Sequence, residues 1–121
     1  MTDEYSGDRR ILLVEDDPAV GAMIAELLED AHYVVDGPHA TLADGIAAVA
    51  DEMPVGAVLD VRLGRGDSGL LADDLDLYDI PYVFCAGAFD HRAVHAHPAA
   101  PLISKPDLVR RLVPTLRRML H

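Results

Sequence analysis

Gly56-Ala57-Val58-Leu59-Asp60 is an unbroken apolar run that ends on a carboxylate, and the glycine-rich loop Leu63-Gly64-Arg65-Gly66-Asp67-Ser68-Gly69 follows it. A short apolar run bounded by turn residues reads as a fully buried strand of a parallel sheet. The loop then lies at the strand's carboxyl end, where open α/β sheets place their chemistry. A carboxylate half inside the strand layer needs a cation beside it or must take up a proton. The rest of the chain supplies partners for Asp60 at two other strand ends.

Upstream, Arg10-Ile11-Leu12-Leu13-Val14 is a second buried-strand run, and it empties into Glu15-Asp16-Asp17. Asp17 before Pro18 reads as an N-cap with proline at the first helical position, and that helix extends to about Asp30. Glu15 and Asp16 are left unexplained by capping. Tyr33-Val34-Val35 predicts a short strand and Asp36-Gly37-Pro38 its turn. Thr41 caps a helix to about Ala50 that turns Leu42, Ile46 and Val49 inward.

Downstream of the central strand, Val55 to Asp60, a helix is expected from Gly69 to Tyr78, with Leu70, Leu71, Leu75 and Tyr78 facing the core. Tyr82-Val83-Phe84-Cys85-Ala86 is a further strand. Phe89 to Pro101 carries few apolar residues and three histidines, so at most a short, poorly packed helix is expected there. A minimal strand, Leu102-Ile103-Ser104, delivers Lys105-Pro106, and a last helix runs from about Asp107 to Leu120. Pro114 should kink it or loosen one turn. Five strands alternating with helices predict an α/β fold, a doubly wound five-stranded parallel sheet of order 2-1-3-4-5. Asp16 and Asp60 then face one crevice, and Lys105 reaches in from the other side.

The chain has 121 residues, half of them hydrophobic, which is enough for one core and one domain. Residues 1–8 read as a disordered lead-in and 9–121 as the domain. Acidic residues outnumber basic ones 21 to 10, and a net charge of −11 argues against binding to nucleic acid. No apolar run is long enough for a membrane span, and a single cysteine cannot form an internal disulfide, so the cytoplasm is the expected compartment. Nine of the ten basic residues are arginine. The lone lysine, Lys105, marks a place for a compact ammonium.

Glu15, Asp16 and Asp60 make an oxygen-only set suited to Mg²⁺, with the backbone carbonyl of Arg62 placed as a further ligand. An aspartate in such a site can act as nucleophile toward a phosphoryl group, with Lys105 as counter-charge. A nucleophilic triad is not supported. His91, His95 and His97 could hold a transition metal, but solvent-exposed loop residues are the expectation for them. Arg110, Arg111, Arg117 and Arg118 read as the wet face of the last helix, and Cys85 as a small core residue.

ILLVEDDP at 11–18, AVLDVRLGRGDSG at 57–69, IPYVFCAGAFD at 80–90 and PLISKP at 101–106 together resemble the receiver domains of two-component response regulators. The likeness spans almost the whole chain. It implies a Mg²⁺-dependent phosphorylation of Asp60 by a sensor histidine kinase or phosphotransfer protein, and signalling through a downstream protein. Asp16 would be a direct metal ligand, Glu15 would act through water, and Lys105 would bind the phosphoryl group. Such a domain catalyses only its own phosphoryl transfer and dephosphorylation, and no output domain is expected.

The fourth strand resembles that of a single-domain subgroup reading phenylalanine-alanine-threonine-glycine. Two positions depart from the family. Ala86 stands where a Thr or Ser hydroxyl usually meets the phosphoryl oxygen, and Leu102 where an aromatic usually swings inward. A pseudo-receiver, a constitutive protein-interaction module, is therefore the alternative. A phosphohydrolase is disfavoured, because Arg62 occupies the place of the second aspartate that such enzymes use as acid and base.

Overall fold

The computed structural model describes residues 9–64, 66–87, 94 and 96–120. The expected lead-in, His91 and His95 lie outside them. Five parallel strands, β1 (Arg10–Val14), β2 (Val34–His39), β3 (Gly56–Asp60), β4 (Tyr82–Ala86) and β5 (Leu102–Ser104), run in the spatial order 2-1-3-4-5. Among the described residues the helices are α1 (Pro18–Asp30), α2 (Leu42–Asp51), α3 (Gly69–Leu77) and α4 (Leu108–Met119), and the start of the segment expected to hold a weak helix, 89–93, lies outside them. None of the described helices is long and apolar enough to cross a membrane.

Side chains alternate across the sheet, which divides the core into two layers. Ile11, Leu13, Val58, Val83 and Ile103 pack with Ile24 and Leu28 of α1 and with Leu108, Leu112 and Leu116 of α4. Leu12, Val14, Ala57, Leu59 and Phe84 pack on the other face with Val49 of α2 and Leu71, Ala72 and Leu75 of α3. The central strand is buried along its whole length, as its apolar run requires.

Caps form where their residue types place them. Asp17 Oδ1 accepts the amides of Ala19 and Val20 at 2.9 and 3.3 Å, and Thr41 Oγ1 accepts that of Asp44 at 3.0 Å. Helix α4 continues through Pro114 to Met119. Its apolar side, Leu108, Leu112 and Leu116, is fully buried and outweighs the one backbone bond that proline removes.

Three expectations need correction. Asp36-Gly37-Pro38 is not a turn: β2 extends to His39, with a bulge against β1 where the register slips between Leu12 and Val14. Asp36 is anchored by Arg10 at 3.1 Å and by His39 at 2.8 Å, so its charge is satisfied within the sheet edge. Leu70 and Tyr78 do not face the core, being 64 % and 48 % exposed. Helix α3 is short, and Leu71, Ala72 and Leu75 already fill its buried side. Finally, Leu63 and Gly66 close a small antiparallel ribbon, Arg62–Leu63 with Gly66–Asp67, in what read as an irregular loop.

Gly37 has φ +132°, and a Cβ there would stand 2.4 Å from the Leu13 carbonyl oxygen. The neighbour is backbone of a buried strand and cannot yield. Gly37→Ala is expected to destabilise the domain by about 2 kcal/mol or more, read as a lowered urea midpoint at unchanged m-value.

Candidate functional site

The sheet register assembles the site. Val14 pairs with Leu59 and Asp60 with Cys85, so the next residue of β1, Glu15, arrives beside Asp60 at the carboxyl edge. Ala86 pairs with Ser104, which brings Lys105 to the same edge one strand further on. Glu15 and Asp60 are buried at 2 % and 3 % exposure. Lys105 Nζ lies 3.3 Å from Asp60 Oδ2 and 3.4 Å from Glu15 Oε2. Gly87 lies beside the lysine stem, where a Cβ would make an ordinary contact with Cδ at 3.8 Å.

Each of the two buried carboxyls also accepts one backbone amide. The Asp17 amide donates to Glu15 Oε2 at 3.1 Å, and the Arg62 amide donates to Asp60 Oδ1 at 3.3 Å. The second of these ties the Arg62 peptide next to the acceptor carboxylate. Asp16 stands at the exposed mouth, where its Oδ2 accepts the amide of Gly64 at 3.1 Å. Gly64, at φ +60°, turns the ribbon so that its N–H points to Asp16. This latch between two loops carried no sequence signal beyond the glycine itself.

The electrostatics follow from burial and crowding. Burial, reinforced by the adjacent Asp60 carboxyl, pushes Glu15 up to about 7. The Gly64 amide holds Asp16 below the ordinary carboxylate range, with Asp60 and Lys105 acting in the same direction against burial. Burial opposes the Lys105 charge, but Asp60 and Glu15 outweigh it and keep the ammonium above its usual value. Among the described residues one fixed cation stands against three acids, which leaves the pocket short of positive charge.

Cys85 is buried as expected, yet it also floors the site: its Sγ is 4.0 Å from Glu15 Oε1. One ligand atom each from Glu15, Asp60 and Cys85 lies within 4.8 Å of the others. Burial, with Glu15 and Asp60, pushes the thiol well above its ordinary value, so it stays protonated and is no ligand for a hard cation. The oxygens alone fit one, and they suit Mg²⁺ by charge and type.

Of the two departures, Ala86 is buried at the end of β4 and Leu102 is 37 % exposed on β5. The expectation that His97 is solvent-exposed is overturned. It is 8 % exposed and contacts Asp73, Asp76 and Tyr82. Its partners come from α3 and β4, far away in the chain, and spacing among histidines could not reveal them. Arg110, Arg111, Arg117 and Arg118 are exposed on α4, as expected.

No protein-family model and no curated protein matches the chain. Solved structures do. A CheY-like response regulator receiver domain protein from Methanospirillum hungatei JF-1 is 26 % identical, with 93 % of each chain covered and a TM-score of 0.81. SdrG from Sphingomonas melonis Fr1 is 32 % identical over 93 % of this chain and 96 % of its own, with a TM-score of 0.80. A structure described as the BeF3-activated conformation of SdrG from Pseudomonas melonis Fr1 is 31 % identical over 96 % and 99 %, with a TM-score of 0.77.

The raised Glu15 carboxyl sets a pH dependence. The folded state holds that proton up to about 7, whereas an unfolded carboxyl releases it near 4.5. Without divalent cations, stability therefore falls as pH rises through that window. Glu15→Gln should abolish this slope and stabilise the domain at pH 8 by on the order of 1 kcal/mol, measured by urea unfolding at pH 5 and pH 8.

Proposed function

The chain belongs to the CheY-like receiver domains of response regulators, and on that footing we propose that it works in a phosphorelay by accepting a phosphoryl group on Asp60. The observation that carries this reading is the Lys105 ammonium, 3.3 Å from Asp60 and 3.4 Å from Glu15. In the reaction, an Asp60 carboxylate oxygen attacks phosphorus. The new O–P bond forms as the donor's bond to phosphorus breaks, and the departing imidazole of a phosphohistidine takes its proton from solvent. Lys105 can swing its charge from the carboxylates to an equatorial phosphoryl oxygen, which favours the transition state.

Glu15, Asp16 and Asp60, with the Arg62 carbonyl, are the residues that would hold Mg²⁺, and the bound ion supplies charge neutralisation for the phosphoryl oxygens. Asp16, kept ionised by the Gly64 amide, is available at the mouth for direct ligation. Glu15, set deeper, suits a role through water. The description of SdrG in a BeF3-activated conformation supports the reading, since beryllofluoride has the shape and charge of a phosphoryl group.

The donor would be a sensor histidine kinase or phosphotransfer protein. The output would be contact with another protein, since a net charge of −11 weighs against nucleic acid. On this reading the domain has no external substrate, and it works in the cytoplasm. Ala86, a buried methyl where a hydroxyl would report the phosphoryl group, favours a second reading, a pseudo-receiver that binds its partner constitutively.

Intact mass after incubation with a small-molecule phosphodonor separates the two. One phosphoryl adduct is expected on the wild type in Mg²⁺, none after chelation and none on Asp60→Asn. Lys105→Met should slow its formation roughly 10- to 100-fold. A wild type that stays unlabelled in conditions that label an ordinary receiver would overturn the phosphorelay reading in favour of the pseudo-receiver.

A further inference from the structure

We infer that His97, Asp73 and Asp76 form a second cation site, suited to a transition metal of the Zn²⁺ class, at the start of β4. Asp73 and Asp76 share one face of α3 through their three-residue spacing. His97 comes from the connection between β4 and β5, and its ring lies edge-on to Tyr82 at 6.0 Å and to Phe84 at 6.2 Å between centroids. Its Nε2 is 3.0 Å from Asp73 Oδ1, and its Nδ1 is 2.8 Å from Asp76 Oδ2. The Tyr82 hydroxyl donates to Asp76 Oδ1 at 2.9 Å and stands 2.9 Å from Nδ1. One ligand atom from each of the three residues lies within 4.8 Å of the others.

These distances suit a shared ion. Two ligands on a tetrahedral zinc with bonds near 2.0 Å stand about 3.3 Å apart, close to the Nε2–Asp73 separation. The ion takes the place of the proton between them, which leaves to solvent. On the other side of the ring, a carboxylate on Nδ1 is the device that fixes the orientation of metal-bound histidines. Asp76 supplies that contact, and to reach the ion as well one of its oxygens would exchange the Nδ1 or the Tyr82 contact for the metal.

Two carboxylates and one imidazole balance a divalent charge, and the nitrogen selects against Mg²⁺, which prefers oxygen. A cavity of about 610 Å³, walled by Asp76, Tyr82, His97, Ile80 and Ala100, adjoins the cluster and leaves room for water in the open position. The site stands at Tyr82, three residues before the Cys85 that pairs with Asp60, and is separate from the acidic cluster. A bound ion would cross-link α3 to the β4–β5 connection.

Calorimetric titration of ZnCl₂ into the untagged full chain tests this, alongside Glu15→Gln/Cys85→Ser, which disables the other group of candidate ligands. One equivalent should bind, should persist in that double variant, and should weaken at least tenfold in Asp73→Asn, whose side chain is 64 % exposed and carries no part of the core. His97→Gln should abolish binding and, with it, the visible absorption of tetrahedral Co²⁺. Zinc binding that is unchanged in both Asp73→Asn and His97→Gln, or lost only in the double variant, overturns the site. So does a wild type that binds no zinc, which leaves His97 as a hydrogen-bonded clamp between two carboxylates. If His97→Gln fails to fold, Asp73→Asn and the Co²⁺ spectrum of the wild type decide.

Discussion

A single ammonium set against two buried carboxylates is the constraint on which the rest of this structure depends. Asp60 and Glu15 are almost fully shielded from water, and paired buried carboxyls need a cation in contact or a proton held on one of them. Lys105 supplies the cation from two strands away. The parallel register must therefore bring β1, β3 and β5 to a common edge, and β5 must be short enough to release the chain there. An extra residue in β5 would carry the ammonium past the edge, leaving two buried acids uncompensated.

That one cation does not neutralise the site. Glu15 keeps a proton to about pH 7, and Asp16 remains ionised at the mouth because the Gly64 amide binds its charged form. The residual negative charge faces outward, where a hard divalent ion and a phosphoryl group would approach together. In the proposed chemistry the same feature that costs stability without a cation creates affinity for one.

Most of the architecture was legible because the apolar runs are strand-length and end on charge. The five strands, the Asp17 and Thr41 caps and the convergence of Glu15, Asp16, Asp60 and Lys105 follow from that punctuation and the doubly wound topology. What escaped depends on contacts between segments remote in sequence. Asp36-Gly37-Pro38 has turn composition, but Arg10 and His39 hold Asp36 in an extended edge strand. Leu70 and Tyr78 fall within an apolar pattern, yet a nine-residue helix has room to bury only one narrow side. His97 looked like a polar loop residue because its carboxylate partners lie on α3, and nothing in local spacing joins the two.

In the proposed chemistry, the absence of a hydroxyl at position 86 would limit how an event at Asp60 is read elsewhere. Ala86 offers the proposed phosphoryl group no hydrogen bond, and Leu102, paired with Phe84 in the register, already lies partly in solvent. A change in charge at Asp60 would reach Lys105 and the Arg62 amide, which touch it directly, as well as the neighbouring Glu15 and Asp16 carboxyls. Lys105 opens a short 3₁₀ turn that runs into α4, whose outer side carries Arg110, Arg111, Arg117 and Arg118. Gly64 is latched to Asp16 and belongs to the ribbon that leads into α3. Movement of Lys105 toward a phosphoryl oxygen would loosen its hold on Glu15, and ligation of Asp16 would compete with the Gly64 amide. In the proposed chemistry any readout would start from these contacts, which lead to opposite faces of the sheet, one through α4 and the other through α3.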